Sequence, residues 1–298
     1  MNYNNYILKK AGVLFMEITL DILQKVIKKR EPNSHKGNFG RVLLIGGNIN
    51  YGGAIIMAAS AAVHAGAGLV TVATNKENLS SLHSVVPEAM FINFFDKVSL
   101  TTAISTADAV VVGPGLGTDN RSKEVLEVTL SNISDNQLCI IDGSAITLIS
   151  ENNSLKELIA NNKKIIFTPH QMEWQRLSGI PIDKQIDDIN LQKQRLLNAT
   201  VVLKKHHTTI YHQSGTIDNL AIGGPFMATG GMGDILTGIL AAFITQFKES
   251  SLDERINAAV YLHSYIAENL SHKYYVTLPT DIIKKIQKTM LKVISEQK

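Results

Sequence analysis

Gly230-Gly231-Met232-Gly233-Asp234, followed by the apolar run Ile235 to Phe247, decides how the rest of the chain reads. Two glycines, a spacer, a third glycine and a carboxylate lead straight into a segment long enough for several turns of helix. Backbone N–H groups at a helix start have no intrahelical partner, and the helix dipole adds partial positive charge, so an anion can dock against the glycines. Glycine also lets phosphate approach the backbone with no Cβ in the way. Asp234 then stands beside the reacting phosphoryl group, able to accept a proton from an attacking hydroxyl. The plain alternative is a glycine-rich loop whose acid only caps its helix, and a motif this short fits both.

Composition narrows the classes. The chain has 298 residues, 45% hydrophobic and 18% charged, which fits one large or two small globular domains with a real core. A net charge of +3 with no long basic block gives no argument for nucleic acid as a partner. The longest weakly apolar stretch, Ala54 to Ala73, is broken by His64 and glycines and reads as a helix then a strand, so no membrane span is expected. Cys139, the only cysteine, sits in Leu138-Cys139-Ile140-Ile141 and reads as a buried inert thiol. With no signal peptide before Phe15, a cytoplasmic protein is expected. Met16 is a second candidate start beside Met1, because the residues before it show no clear periodicity.

A helix is expected over Leu20 to Lys29, and Val42 to Ile45 is a fully apolar strand after a polar, glycine-bearing loop. The small-residue helix Ala54 to Ala65 follows. Strand-like runs recur at Leu69 to Ala73, Ala89 to Phe94, Ala109 to Gly113, Leu138 to Asp142, Lys164 to Thr168 and Thr200 to Lys204. Helix-like stretches lie between most of them, including Arg121 to Leu130, Leu155 to Ala160 and Gln185 to Leu197. This alternation predicts an α/β fold with a mostly parallel central sheet and helices on both faces. Thr208 to Tyr211 and Gly215 to Asp218 read as an appended hairpin, and the chain from Gly233 on as helical, with Asp253 to Leu270 and Asp281 to Ile294 as later helices. No repeat or linker marks a second domain: residues 20–298 read as one unit after an undefined extension, 1–19.

Ligands in such sheets bind outside the carboxyl ends of the strands. Four strand ends carry unusual chemistry: Gly113-Pro114-Gly115-Leu116-Gly117, Asp142-Gly143-Ser144, Thr168-Pro169-His170-Gln171-Met172-Glu173, and Lys204-Lys205-His206-His207-Thr208. The first is not GxGxxG, and no GxxxxGK[ST] occurs, so neither a hydride-transfer Rossmann domain nor the common ATPase loop fits. His170 is a ligand contact or a structural loop histidine, and Lys204 a phosphate partner or a solvated rim lysine. His206 and His207 diverge if the backbone is extended, so no metal site is expected there. His263 and His272 read as surface or packing residues, and Trp174 as loop packing.

Order supplies what the single motifs lack. HKGxxGrVLLIGG, a small-residue helix ending in HAGAGLVTV, then GPGLG, IIDG, TPHxxE, VVLK with a Thr four residues after the Lys, and MATGGMGDILTG resemble the ADP- or ATP-dependent (S)-NAD(P)H-hydrate dehydratases from about Leu20 to the C-terminus. The resemblance implies a ribokinase-like fold and a repair activity. Water added across a ring double bond of NADH or NADPH is removed from the S epimer while ADP or ATP is cleaved, releasing AMP or ADP and phosphate. It implies Mg²⁺, with Asp234 as the catalytic base. Ala54, Gly117, His170 and Asp234 would touch the hydrated nucleotide; Lys204, Lys205, His206, His207, Thr208 and Gly233 the adenine nucleotide; and Gly230 to Gly233, with Met232, would cradle phosphate. The family usually has Gly at Lys205, Asn at Gly224 and Lys at Thr229. Relatives imply a homo-oligomer, a homotetramer in particular, and an epimerase on a separate chain, because residues 1–19 cannot hold one. Two other functions share the pattern: a small-molecule kinase of the same superfamily, which stops at the phosphorylated alcohol, and a nucleotide-binding protein without catalysis, which would lack the Asp234 carboxylate.

Overall fold

A strand that is apolar at every position needs cover on both faces, and the chain supplies it by returning a helix after most strands. The structure, a computed structural model, describes residues 8–10, 13–160 and 164–297; Met1 lies outside them. The strands are β1 (Leu8–Lys10), β2 (Val13–Ile18), β3 (Arg41–Ile45), β4 (Leu69–Thr74), β5 (Met90–Asn93), β6 (Ala109–Val112), β7 (Leu138–Ile141), β8 (Ile165–Phe167), β9 (Thr200–Leu203), β10 (Thr209–Tyr211) and β11 (Ile217–Leu220). The helices are α1 (Asp21–Val26), α2 (Gly52–His64), α3 (Leu79–Val85), α4 (Lys97–Thr106), α5 (Asn120–Asn132), α6 (Gly143–Glu151), α7 (Asn153–Ala160), α8 (Gln171–Ser178), α9 (Asp187–Leu197), α10 (Met232–Gln246), α11 (Leu252–Ser271) and α12 (Pro279–Ser295).

All eleven strands form one sheet in the order β1-β2-β11-β10-β9-β8-β7-β6-β3-β4-β5. From β9 to β5 every pairing is parallel; β10 runs antiparallel to β9 and β11. One face packs residues of α1, α2, α10, α11 and α12 into a core with Leu44, Val72, Val111 and Ile140. The other packs α4 to α9 against Ile45, Val110, Cys139 and Phe167. Fully buried Cys139 has its thiol pushed up to about 12 by burial, the inert state expected of it.

Residues 13–18, where the sequence shows no periodicity, form a strand: β2 pairs in parallel with β11 from Phe15 opposite Ile217 to Ile18 opposite Leu220. Such a strand takes its register from a distant partner rather than from its own pattern. Expected α1 is shorter than its sequence pattern, because Ile27 is already extended at ψ 115. Among the described residues no helix is long and apolar enough to cross a membrane.

Strand order reverses between β3 and β6, and the loops leaving them join there. Gly47 N–H donates to Pro114 O (2.9 Å) and Asn48 N–H to Gly115 O (2.7 Å). β7, β8 and β9 follow outward, so Asp142, Thr168 and Lys204 leave the sheet side by side at its carboxyl edge. The start of α10 faces that edge, and α10 packs closely on α2, where a Cβ on Gly238 would fall 2.1 Å from Ala58 O.

Candidate active site

The glycines before Asp234 do different jobs. Gly231 is the N-cap of α10 at φ +94, a conformation that favours glycine, and a Cβ on it would meet Met57 Cε of α2 at 2.6 Å and Pro279 Cγ of α12 at 3.0 Å. Gly230 has open space where its side chain would stand, as an approaching anion requires. Gly233 is different. A Cβ there would lie 2.9 Å from Lys204 Nζ and 3.7 Å from Asp142 Oδ2. The sequence reading gives all the glycines to phosphate approach; the structure gives Gly231 to the helix turn and Gly233 to an ammonium.

Lys204 is therefore no solvated rim lysine. Its Nζ donates to Asp142 Oδ1 at 2.7 Å, and the same oxygen accepts Thr168 Oγ1–H at 2.7 Å. Its backbone is held too, N–H to Pro169 O at 2.8 Å. Burial works against the ammonium, but the Asp142, Glu173 and Asp234 carboxylates hold its pKa above the usual lysine value. Glu173, buried at the first turn of α8, has its pKa raised by burial, an effect that Lys204 opposes and Asp142 adds to. Asp234 is raised to about 6 by burial and by the like charges of Asp142 and Glu173, against the pull of Lys204. Among the described residues its carboxylate accepts no hydrogen bond. That leaves Asp234 a base with no proton donor of its own, at the pKa range suited to proton transfer near neutrality.

His170 enters through the helix it caps. Its Nδ1 accepts N–H from Met172 and Glu173, both at 3.2 Å, while its own N–H donates to Glu173 Oε2 at 2.8 Å, a reciprocal capping box. An accepting Nδ1 places the ring proton on Nε2, 3.5 Å from Glu173 Oε1, on a side chain that is about half exposed. Ala54 stands in the first turn of α2, and a Cβ on Gly115 would approach its Cβ to 3.1 Å. Gly117 sits at φ +90 against Asn48, whose Nδ2 would be 2.5 Å from a Cβ there. The structure thus brings Asp234, Gly233, Lys204 and His170 around the Asp142 and Glu173 carboxylates, and sets Ala54 at the start of α2 and Gly117 in the loop after β6 at the same sheet edge.

The segment after Lys204 holds two further corrections. Its left-handed residue is His207 at φ +60, not Lys205, so Lys205 in the place of a usual glycine costs no backbone strain. The turn at His207 also brings the His206 and His207 rings together at 4.1 Å between centroids, where an extended backbone would separate them. Both are exposed, and Lys205 and Thr208 are half-buried. Gly224 is extended at φ −166, which any residue adopts. His263 is buried rather than on the surface, and burial with the nearby Lys204 charge pushes it down to about 4, so the ring packs as a neutral group. Trp174 packs as expected, fully buried, its Nε1–H donating to Asn190 Oδ1 at 2.8 Å.

Asp142, Thr168 and Glu173 are the site residues that sequence reasoning left unassigned. Each ends a strand or follows one in a segment already marked by the carboxyl-end rule. What no local pattern shows is that the segments leaving β7 and β8 converge on the lysine that ends β9.

Residues 42–288 match the family model described as NAD(P)H-hydrate dehydratase. The chain belongs to that family. An Enterococcus faecalis relative named ADP-dependent (S)-NAD(P)H-hydrate dehydratase is 47% identical over 275 residues, covering 92% of each chain. A solved ribokinase-like superfamily protein from Enterococcus faecalis is similar at TM-score 0.89 and 46% identity, over 96% of this chain and 98% of that one. The ADP/ATP-dependent NAD(P)H-hydrate dehydratase from Bacillus subtilis, co-crystallized with ATP and Mg²⁺, shares the fold at TM-score 0.77 and 24% identity, over 92% and 98% of the two chains. A ribokinase-like frame and dehydratase family membership are thereby established for this chain.

Proposed function

We propose that the protein removes water from the S epimer of hydrated NADH and NADPH, with ADP as phosphoryl donor. The observation that carries the reading is Asp234: a carboxylate with no proton donor of its own, raised to about 6, at the N-terminus of α10 and next to a fixed ammonium. Hydroxide leaves poorly at neutral pH, so the ring hydroxyl must first be converted. Asp234 takes the hydroxyl proton as that oxygen attacks the terminal phosphorus of ADP, and the bond to AMP breaks. N–H groups around Gly231 to Gly233 and the Lys204 ammonium receive the charge that develops on the phosphoryl oxygens. The ring nitrogen then pushes out phosphate, and loss of a proton from the neighbouring carbon restores the double bond. Ala54, Gly117 and the Nε2–H of His170 border the hydrated ring, while Lys204 to Thr208 and Gly233 border the adenine nucleotide.

Magnesium fits the charge of the site. Three carboxylates, Asp142, Glu173 and Asp234, share one ammonium, so negative charge is in excess. Among the described residues no three His, Cys, Asp or Glu side chains could enclose a metal. Such a site suits a hard cation bound largely by water and nucleotide phosphates, with Glu173 as the protein anchor it would use. When bound, it would neutralise charge on the transferring group. A homotetramer, a cytoplasmic location and a separate epimerase chain belong to the same reading; light scattering of the purified protein tests the first.

The deciding experiment supplies hydrated NADH with Mg²⁺ and either ADP or ATP and follows the return of reduced-nicotinamide absorbance. Recovery that requires ADP is expected. No recovery from folded, nucleotide-binding protein, with a stable phosphorylated alcohol formed from another substrate, would make it a kinase instead.

A further inference from the structure

We propose that Asp142, backed by Thr168, is a positioning residue that locks the Lys204 ammonium into the gap left by Gly233, fixing a positive charge at the N-terminus of α10 for phosphoryl transfer. The inference rests on the function proposed above.

Three observations converge on it. First, a free lysine has many rotamers and would sample many positions in an open cleft. Here Nζ is held at 2.7 Å by Asp142 Oδ1, on a side chain only 4% exposed, and that oxygen is itself held by Thr168 Oγ1–H at 2.7 Å. Second, Gly233 is shaped to the ammonium: its missing Cβ would sit 2.9 Å from Nζ. With the lysine pinned from behind by Asp142, a methyl group there cannot simply push it aside. Third, the lock is assembled from β7, β8 and β9, strands adjacent in the sheet, so its members are positioned by the most rigid part of the fold. Asp142 Oδ2 is left on the Gly233 side, clear of the ammonium contact. The carboxylate therefore acts through Lys204 and needs no contact with the reacting hydroxyl.

The test has two arms on the whole protein. In the first, acetic anhydride labels the wild type and the D142N, T168V and G233A variants, and mass spectrometry compares modification of Lys204 with that of exposed Lys28. A locked ammonium in the wild type and a several-fold rise at Lys204 in all three variants are expected. Equal labelling of Lys204 in wild type and D142N overturns the lock whether or not the protein dehydrates anything. In the second arm, kcat and KM for ADP are compared for wild type, D142N, K204M and the double variant. A kcat loss of about tenfold in D142N without a rise in KM is expected, the size of one charged hydrogen bond. In the K204M background D142N should add nothing, and D142E should recover part of the loss. Full additivity, or a loss confined to KM, shows that Asp142 does not act through Lys204. A wild type that turns over no hydrate while its Lys204 labelling obeys the lock removes the proposed function and, with it, the catalytic purpose, leaving a purely structural pair.

Discussion

The two ends of β9 each bury a cation among carboxylates, and they settle the charge in opposite ways. At the amino end, His212 is fully buried, its Nε2 3.0 Å from Asp218 Oδ2 and its Nδ1 3.2 Å from Asp253 Oδ1. Asn257 Nδ2–H donates to Asp218 Oδ2 at 2.5 Å, and Ser214 Oγ–H to Asp253 Oδ2 at 2.6 Å. Burial opposes a charged ring there, but Asp218 and Asp253, one within ion-pair distance of each ring nitrogen, carry its pKa up to about 9. At the carboxyl end one ammonium serves three carboxylates, and two of those, Asp234 and Glu173, are pushed upward. The first cluster sets its ring between two carboxylates that each also accept a hydrogen bond, from Asn257 and from Ser214, and so ties the β10–β11 hairpin to α11. The second is left unbalanced, which keeps a base ready for a proton and negative charge ready for a cation. A buried ion cluster reads as structural or functional by whether each of its carboxylates holds a hydrogen-bond partner, and among the described residues Asp234 holds none.

Breaking the unbalanced end should cost activity and spare stability; breaking the matched end should do the reverse. Asp234→Asn is expected to lower turnover 10²-fold or more, about what removal of a positioned base costs, while the melting temperature stays level or rises as like-charge repulsion is relieved. Near-wild-type turnover would sink Asp234 as the base. His212→Phe leaves Asp218 and Asp253 without their cation and should lower unfolding free energy by about 3–5 kcal/mol, read by denaturant melts, with kcat of the folded fraction kept. A kcat loss as large as that of Asp234→Asn would mean the two ends are coupled.

Titration separates the ends in opposite directions. His212 is raised from the ordinary 6.5 to about 9, so its contribution to stability is complete below 6.5 and is lost as pH rises through about 9. Asp234 must be ionised to act, so turnover should fall as pH drops through about 6, a range where the ordinary carboxylate at 3.8 would still be charged. Melting temperature and kcat measured across pH 5 to about 10 report both on one protein. An acid limb near pH 4 would show that the crowding around Asp234 is relieved once substrates bind.

How much of this was readable in advance follows the range of the interactions. The parallel strands announced themselves, because Val42 to Ile45 and Leu138 to Ile141 are apolar at every position and buried on both faces. Asp234 was legible because its glycines and its helix are contiguous in sequence. Strand β2 was not, since its pairing with β11 is decided some two hundred residues away. Asp142 was visible only as a carboxylate at a strand end; its role depends on Lys204 arriving two strands over. His212 and Asp253 carried no signal at all, because nothing local distinguishes a matched buried pair from two surface charges.

The smallest expected effect concerns His170, where the sequence offered a ligand contact and a structural histidine as rival readings. The structure shows the structural role, at Nδ1, and leaves the proposed ligand contact to Nε2. Nδ1 caps α8 and so steadies Glu173, while Nε2 lies 3.5 Å from Glu173 Oε1. His170→Ala removes both roles and should lose about 1 kcal/mol of stability with the cap. His170→Asn keeps a good capping side chain but no longer reaches as far. The expectation is that Asn restores the melting temperature yet binds the hydrated nucleotide about three- to tenfold more weakly than wild type, the worth of one hydrogen bond, with ADP affinity unchanged. If Asn instead restores both, the ring contributes nothing beyond its cap, and His170 belongs with the matched end of the molecule rather than with Asp234.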